Sequence, residues 1–189
     1  MGACSDAVNA LVDLTLLFLE TFAASKRDKN ILDFDDIEHF ALSILLRRTQ
    51  EGGIEATETA MEYRSHFTEI LIDEYQDSNL VQEYLLSAIS GEAEGRFNRF
   101  MVGDVKQSIY KFRLARPELF MEKYHTYQEI QGTDALRIDL HKNFRSREEV
   151  LVSTNAVFSQ VMRTELGGIA YDEKAALYPG ASYPGARDL

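Results

Sequence analysis

Two short apolar runs, each broken off by carboxylates or by glycine, constrain this chain most. Ile70-Leu71-Ile72 runs into Asp73-Glu74-Tyr75-Gln76-Asp77, and Phe100-Met101-Val102 runs into Gly103-Asp104. A run of that kind reads as a buried parallel strand, and open α/β sheets place their chemistry at such strand ends. Asp73 and Glu74 are adjacent, so the pleat sends their side chains in different directions. One can then face a metal ion and the other a water, an arrangement suited to nucleotide hydrolysis. The same stretch also has a plainer use, since Asp73, Asp77 and Ser78 can cap a helix starting near Asn79.

The second strand adds weight to the first. Gln107 follows Asp104 closely, and a neutral amide there can sense a terminal phosphate. Next, Tyr110 and Phe112 alternate with Lys111 and Arg113. Aromatic faces interleaved with cations suit stacking on single-stranded bases while the charges track phosphate. An edge strand with its aromatics in a core accounts for the same alternation.

With these strings in view, the chain resembles superfamily 1 DNA helicases of the UvrD and Rep type. Asp73 to Asp77 is similar to their motif II, Gly103 to Ala115 to motif III, and Leu140 to Ser146 (LHKNFRS) to motif IV. Leu32 to Leu45 and Val102 to Phe120 resemble most the AddA-type subunits of bacterial ATP-dependent helicase-nucleases, relatives of RecB. The resemblance implies ATP and Mg2+ as cofactors, Asp73 on the Mg2+ and Glu74 activating water. It implies Gln107 and Arg145 at the γ-phosphate, Phe144 against the adenine, and Tyr110, Phe112 and Arg113 on the DNA. Many UvrD-type proteins carry Trp where Phe112 stands and Tyr where Phe144 stands, so stacking is kept without the indole or hydroxyl.

The implied fold is α/β, a RecA-like parallel sheet of the P-loop NTPase type with flanking helices. Residues 1–66 would be a helical segment leading into the motor. Residues 67–140 would be part of the first RecA-like lobe, and 141–189 the start of the second. No G-x-x-x-x-G-K-[ST] occurs in the 189 residues, so the cradle and lysine for the β- and γ-phosphates are missing. The expectation is an incomplete, internal piece of a longer motor, inactive alone. The intact protein would unwind and degrade single- and double-stranded DNA at double-strand breaks for recombinational repair, with an AddB-like protein as its partner. The alternative is a degenerate helicase fold that binds DNA or a partner without hydrolysis; intact Asp73, Glu74, Gln107 and Arg145 speak against it.

Composition bears on partners and place. A net charge of -11 argues against a free-standing nucleic-acid binder. The cations are nevertheless grouped inside the motifs: Lys106, Lys111, Arg113 and Arg116, then Lys142, Arg145 and Arg147. Cys4 is the sole cysteine, which excludes an internal disulfide and fits a reducing bacterial cytoplasm. His39, His66, His125 and His141 show no metal-ligand spacing. Asp6 stands where a myristoylation signal needs Ser or Thr. Asn9, Asp13 and Glu20 interrupt the apolar stretch from Ala7 to Ala24, which is expected to be no membrane span.

Periodicity and capping residues place the remaining elements. Ala7, Leu11, Leu14, Phe18 and Phe22 predict an amphipathic helix from about Ser5 to Arg27. Asp33 caps a second, reaching about Arg48; Thr49 to Ala56 reads as a loop; a third helix runs from about Thr57 to His66. A fourth, Asn79 to Ile89, should lay Leu80, Leu85 and Ile89 on the sheet. Pro117 starts a helix to about Gln131. A third strand is expected over Leu136 to Leu140, and Ser146 should cap a helix from Arg147 to Met162. Pro179-Gly180 and Pro184-Gly185 mark turns in an irregular end.

Overall fold

Cap chemistry sets the starts of three of the helices. A computed structural model describes residues 2–167 and 169–183. The first helix, α1, spans Gly2–Lys29 and ends in Lys26, Arg27 and Lys29, cations that suit the negative end of a helix dipole. α2 spans Phe34–Leu45, where Asp33 and Asp36 form a reciprocal capping box. Lys26 reaches Asp33 at 2.9 Å and Asp36 at 2.6 Å, tying the end of α1 to the start of α2.

α2 stops at Leu45 rather than at Arg48. Leu46–Arg48 forms strand β1 and pairs antiparallel with β2, Ile54–Ala56. The tight turn is made by Gly52 at φ +84°, a conformation that glycine adopts without steric cost, and Arg47 pairs with Glu55 across the ladder at 2.7 Å. The expected loop is therefore partly a hairpin. α3, Glu58–His66, is capped by Thr57, whose hydroxyl also donates to the Ile44 carbonyl at 2.7 Å.

β3, Ile70–Ile72, pairs with β4, Arg99–Met101. Between them α4, Leu80–Ile89, starts in a capping box of Asn79 and Gln82. Asn79→Ala removes the acceptor for the Gln82 N–H, 2.8 Å away. The expected loss is about 1 kcal/mol of stability, read as faster amide exchange over the first turn of α4. Unchanged exchange there would show that the cap contributes nothing.

α5 spans Pro117–Thr126, β5 Lys142–Asn143, α6 Glu148–Val161, α7 Thr164–Gly167 and β6 Tyr178–Pro179. Among the described residues the sheets are β1–β2, β3–β4 and β5–β6, each two-stranded, so the architecture is mixed helix and small sheets. The strand expected over Leu136 to Leu140 reduces to an isolated Gln128–Leu136 bridge. Ile138 and Leu140 are 66% and 86% exposed, with no neighbouring strand among the described residues to cover them. α5 ends at Thr126, five residues before the Gln131 expected. The turn at Pro184-Gly185 lies outside the described residues.

The chain divides into two compact units. Unit 1 holds residues 1–71 and 79–100; unit 2 holds 72–78 and 101–189. The expected segment 67–140 is thus distributed over both. In unit 1, α4 packs on α2 and α3 rather than laying its apolar residues on a sheet, and Leu80 is 41% exposed. Ala60 and Ala88 are buried, letting α3 and α4 approach. Arg99 is the electrostatic centre of unit 1, reaching Glu83 at 3.0 Å and also pairing with Glu92.

The apolar residues of α1, Leu11, Leu14 and Phe18 among them, are exposed, as are Val8, Val12, Leu16, Leu17 and Leu19 between them. The apolar surface therefore encircles the helix instead of forming one stripe. By length and composition alone, Ser5–Lys29 is apolar enough to cross a membrane despite Asn9, Asp13 and Glu20, a property that core helices of soluble proteins share.

In unit 2, Tyr75, Ala115 and Leu151 are buried. The Tyr75 ring lies 6.1 Å from that of Phe120 on α5. Asn155 on α6 fastens the far end of the chain: its amide donates to the Leu177 carbonyl, and its oxygen accepts from Leu177 N–H and the Tyr171 hydroxyl. That brings β6 to β5 in parallel register, Lys142 against Tyr178 and Asn143 against Pro179.

Candidate functional site

Every residue singled out from the sequence as catalytic, nucleotide-binding or DNA-binding lies in unit 2. Beyond Ile72 the backbone bends sharply. Glu74 adopts a left-handed conformation, φ 49° and ψ 39°, uncommon for any residue but glycine, asparagine or aspartate. Tyr75–Asp77 then forms a 3-10 turn, which puts Asp73 and Glu74 at the exposed surface and Tyr75 and Gln76 inside. The Tyr75 N–H donates to the Val102 carbonyl at 2.9 Å, and the Val102 N–H to the Ile72 carbonyl at 2.8 Å, holding the two tips side by side.

The Asp73 carboxylate accepts from the Glu74 N–H at 2.9 Å through one oxygen. The Glu74 carboxylate accepts from the Gln76 amide at 2.7 Å. Neither residue caps α4: that role belongs to Asn79, so the plainer use open to Asp73, Asp77 and Ser78 is not the one they have. Asp77 keeps one carboxylate oxygen shielded from solvent without a hydrogen-bond partner.

At the second tip, Gly103 is required by space. A Cβ there would stand 2.6 Å from the Gln76 oxygen and 3.0 Å from the Phe120 ring. Asp104 follows and organises the 3-10 turn Val105–Gln107. Its carboxylate accepts from the Lys106 N–H at 3.1 Å and the Gln107 amide at 3.0 Å, and pairs with the Lys106 ammonium at 2.8 Å. Burial pushes the Asp104 carboxyl upward, but the Lys106 and Gln107 contacts outweigh it and hold the group below its ordinary range.

Glu74 and Gln107 are thereby joined through a continuous hydrogen-bonded path: Glu74 carboxylate, Gln76 amide, Asp104 N–H and carboxylate, Gln107 amide. The sequence marks Gln76 and Asp104 only as a string member and a strand terminator. Their signal is weak: a buried polar link depends on the two tips meeting, which no local pattern encodes.

The aromatic segment is a loop rather than an edge strand with buried aromatics. Lys111–Arg113 forms a 3-10 turn, and Leu114 leaves it at φ 65°. Phe112 is 76% exposed and Tyr110 38%, their rings 6.1 Å apart and tilted by 50°. The backbone of Arg113 belongs to that turn; its side chain lies outside the described residues.

In the Asn143-Phe144-Arg145-Ser146 stretch, the Asn143 side-chain oxygen accepts from both the Arg145 and Ser146 N–H groups, at 2.9 and 2.8 Å. The expected Ser146 cap is displaced: the residue at the cap of α6 is Arg147, whose side chain makes no cap hydrogen bond. The Arg145 side chain is exposed. The Phe144 ring lies against Gly180, where a Cβ would come within 2.7 Å of it, and the Phe144 carbonyl accepts from the Tyr183 hydroxyl at 2.6 Å. Among the described residues, no hydrogen bond or ion pair links Phe144 or Arg145 to Asp73, Glu74 or Gln107.

No cluster of three or more His, Cys, Asp or Glu able to hold a metal occurs among the described residues. Mg2+ needs no such cage, since it keeps waters and takes one or two carboxylates plus phosphate oxygens. The exposed Asp73 carboxylate, which accepts through one oxygen from the Glu74 N–H, has its second oxygen to offer and fits that demand.

The UvrD/REP helicase N-terminal domain profile matches residues 7–128. AddA of Lachnoclostridium phytofermentans, described as an ATP-dependent helicase/nuclease component, is 58% identical over 174 residues, 92% of this chain and 12% of that protein. The protein of the same description from Bacillus cereus is 50% identical over 179 residues, 95% of this chain and 14% of its own length. That from Bacillus anthracis is 49% identical over 179 residues. The chain thus spans only 12% to 14% of the length of these relatives.

Proposed function

The chain belongs to the UvrD/REP helicase N-terminal domain family, and on that premise we propose that it is part of the ATP-driven motor of an AddA-type DNA helicase-nuclease. The observation that carries the proposal is the hydrogen-bonded path from Glu74 to Gln107, which holds a surface carboxylate and a phosphate-sensing amide on two adjacent strand tips. In the intact motor these tips belong to a RecA-like parallel sheet. Residues 67–140 contribute to its first lobe, and 141–189 begin the second.

In this reading Asp73 holds Mg2+, which when bound neutralises charge on the phosphate oxygens. Glu74 orients the attacking water and takes its proton as the water oxygen bonds to the γ-phosphorus and the bond to the ADP oxygen breaks. Gln107 and Arg145 contact the γ-phosphate, and Phe144 stacks on the adenine with its exposed face. Tyr110 and Phe112 stack on bases of single-stranded DNA, with Arg113 beside the backbone. The whole protein works on broken double-stranded DNA in the bacterial cytoplasm with an AddB-like partner. The segment alone lacks a phosphate-cradling G-x-x-x-x-G-K-[ST] loop and is inactive. A full-length protein that also lacked such a loop would favour a second reading, a helicase-fold domain that binds without hydrolysis.

The test is DNA-stimulated ATP hydrolysis by the full-length protein that carries this segment. Phe112→Ala and Tyr110→Ala should each raise the single-stranded DNA concentration for half-maximal stimulation about tenfold, since base stacking contributes about 1–3 kcal/mol. Phe112 is mostly exposed, so its loss leaves the fold intact. Unchanged DNA dependence in both variants would remove these rings from the DNA path.

A further inference from the structure

Gln76 is 1% exposed, and both ends of its side chain are engaged. Its amide nitrogen donates to Glu74 Oε2 at 2.7 Å, and its oxygen accepts from the Asp104 N–H at 3.0 Å. A buried amide that served packing alone would be expected to satisfy buried partners first. Here it does not. One carboxylate oxygen of Asp77, the next residue, is shielded and unpartnered, and the Gln76 nitrogen stands 3.5 Å from the other, at the outer limit of a hydrogen bond. The amide is committed to an exposed carboxylate, and a shielded oxygen beside it is left unsatisfied, an arrangement that costs stability.

The surroundings keep the amide in that orientation. Gly103 leaves room for its oxygen, and the left-handed backbone at Glu74 turns the carboxylate back over the 3-10 turn. On the far side the Asp104 carboxylate fixes the Gln107 amide at 3.0 Å. We infer that Gln76 is a positioning residue: it holds the Glu74 carboxylate and the 104–107 turn in one register, so that Glu74 and Gln107 address the same phosphoryl group. The inference rests on the motor reading given above. Gln76 touches neither nucleotide nor water in this scheme; it acts through Glu74 and Asp104.

Gln76→Met keeps the volume and removes both hydrogen bonds. In the full-length protein it should lower kcat for DNA-stimulated ATP hydrolysis by about tenfold to a hundredfold, the range for a misplaced reacting group, with nucleotide affinity changed less than about threefold. The decisive measurement is the double variant. If Gln76 acts through Glu74, adding Gln76→Met to Glu74→Gln lowers kcat little further, because residues acting as a unit are not additive. A purely structural role would multiply the two losses. Gln76→Glu, which keeps an acceptor for the Asp104 N–H but loses the donor to Glu74, is read in the same way should Gln76→Met not fold. Wild-type kcat in a folded variant, or multiplying losses, overturns the inference and leaves the motor reading standing. A wild-type protein without DNA-stimulated hydrolysis overturns both.

Discussion

Glu74→Gln in the full-length protein is expected to abolish ATP turnover, lowering kcat about a hundredfold or more while nucleotide still binds. The size follows from the loss of a general base, which contributes about 10²–10⁴-fold. The substitution is well suited to isolate chemistry from folding. Glu74 is exposed, and a glutamine oxygen can still accept from the Gln76 amide that meets the carboxylate at 2.7 Å. The backbone demand at φ 49° is the same for both residues. Steady-state hydrolysis with saturating single-stranded DNA, together with equilibrium nucleotide binding, gives the answer. A variant within tenfold of wild type would take the role of base away from Glu74, and an inactive wild type would favour the domain that binds without hydrolysis.

Arg99→Met is expected to destabilise unit 1 by about 3 kcal/mol, the penalty range for stripping a buried pair of one partner. The Arg99 side chain is 3% exposed and those of Glu83 and Glu92 are 14% and 26% exposed. Its guanidinium bridges α4 to the 3-10 turn Glu92–Glu94, reaching Glu83 at 3.0 Å and Glu92 through Nε at 2.7 Å. Burial opposes the charge on Arg99, but the two glutamates outweigh it and hold the guanidinium more firmly protonated than usual. Without it, two largely shielded carboxylates lose the cation they share. Hydrogen exchange over residues 79–100 of the full-length protein should show the loss of protection. Arg99→Lys should recover only part of it, since an ammonium cannot match the guanidinium fork. Protection unchanged in Arg99→Met would show that the cluster is stabilised by other contacts.

Where one residue decides a structure locally, the sequence is a good guide. Asp33, Thr57 and Pro117 stand at the helix starts expected of them, because a cap or a fixed φ acts within a few residues. Strand tips at Asp73 and Asp104 are legible for the same reason, each an apolar run ended by a residue that cannot continue it. Pairing is harder to read. Leu46–Arg48 is two-thirds arginine and Ile54-Glu55-Ala56 alternates over three residues only, too short a run to read as a strand, so Gly52-Gly53 is the clearest mark of the hairpin. Leu136 to Leu140 alternates well, yet among the described residues it finds no strand to pair with beyond one bridge. Ser146 is passed over as the cap of α6, and the side chain that orders the preceding turn is Asn143, whose oxygen reaches two N–H groups at once. The link through Gln76 is hidden entirely, since it exists only once Gly103 admits the amide.

The left-handed backbone at Glu74 sets two design goals against each other. Glycine at that position would relieve about 1 kcal/mol of local strain, so a search for thermal robustness would choose it early. The same choice deletes the carboxylate that the motor reading needs. On the motor reading, position 74 would therefore be a diagnostic in related chains: an acidic residue kept there against the backbone's preference is what a hydrolase would need, and glycine or asparagine is what a scaffold without turnover would be free to take.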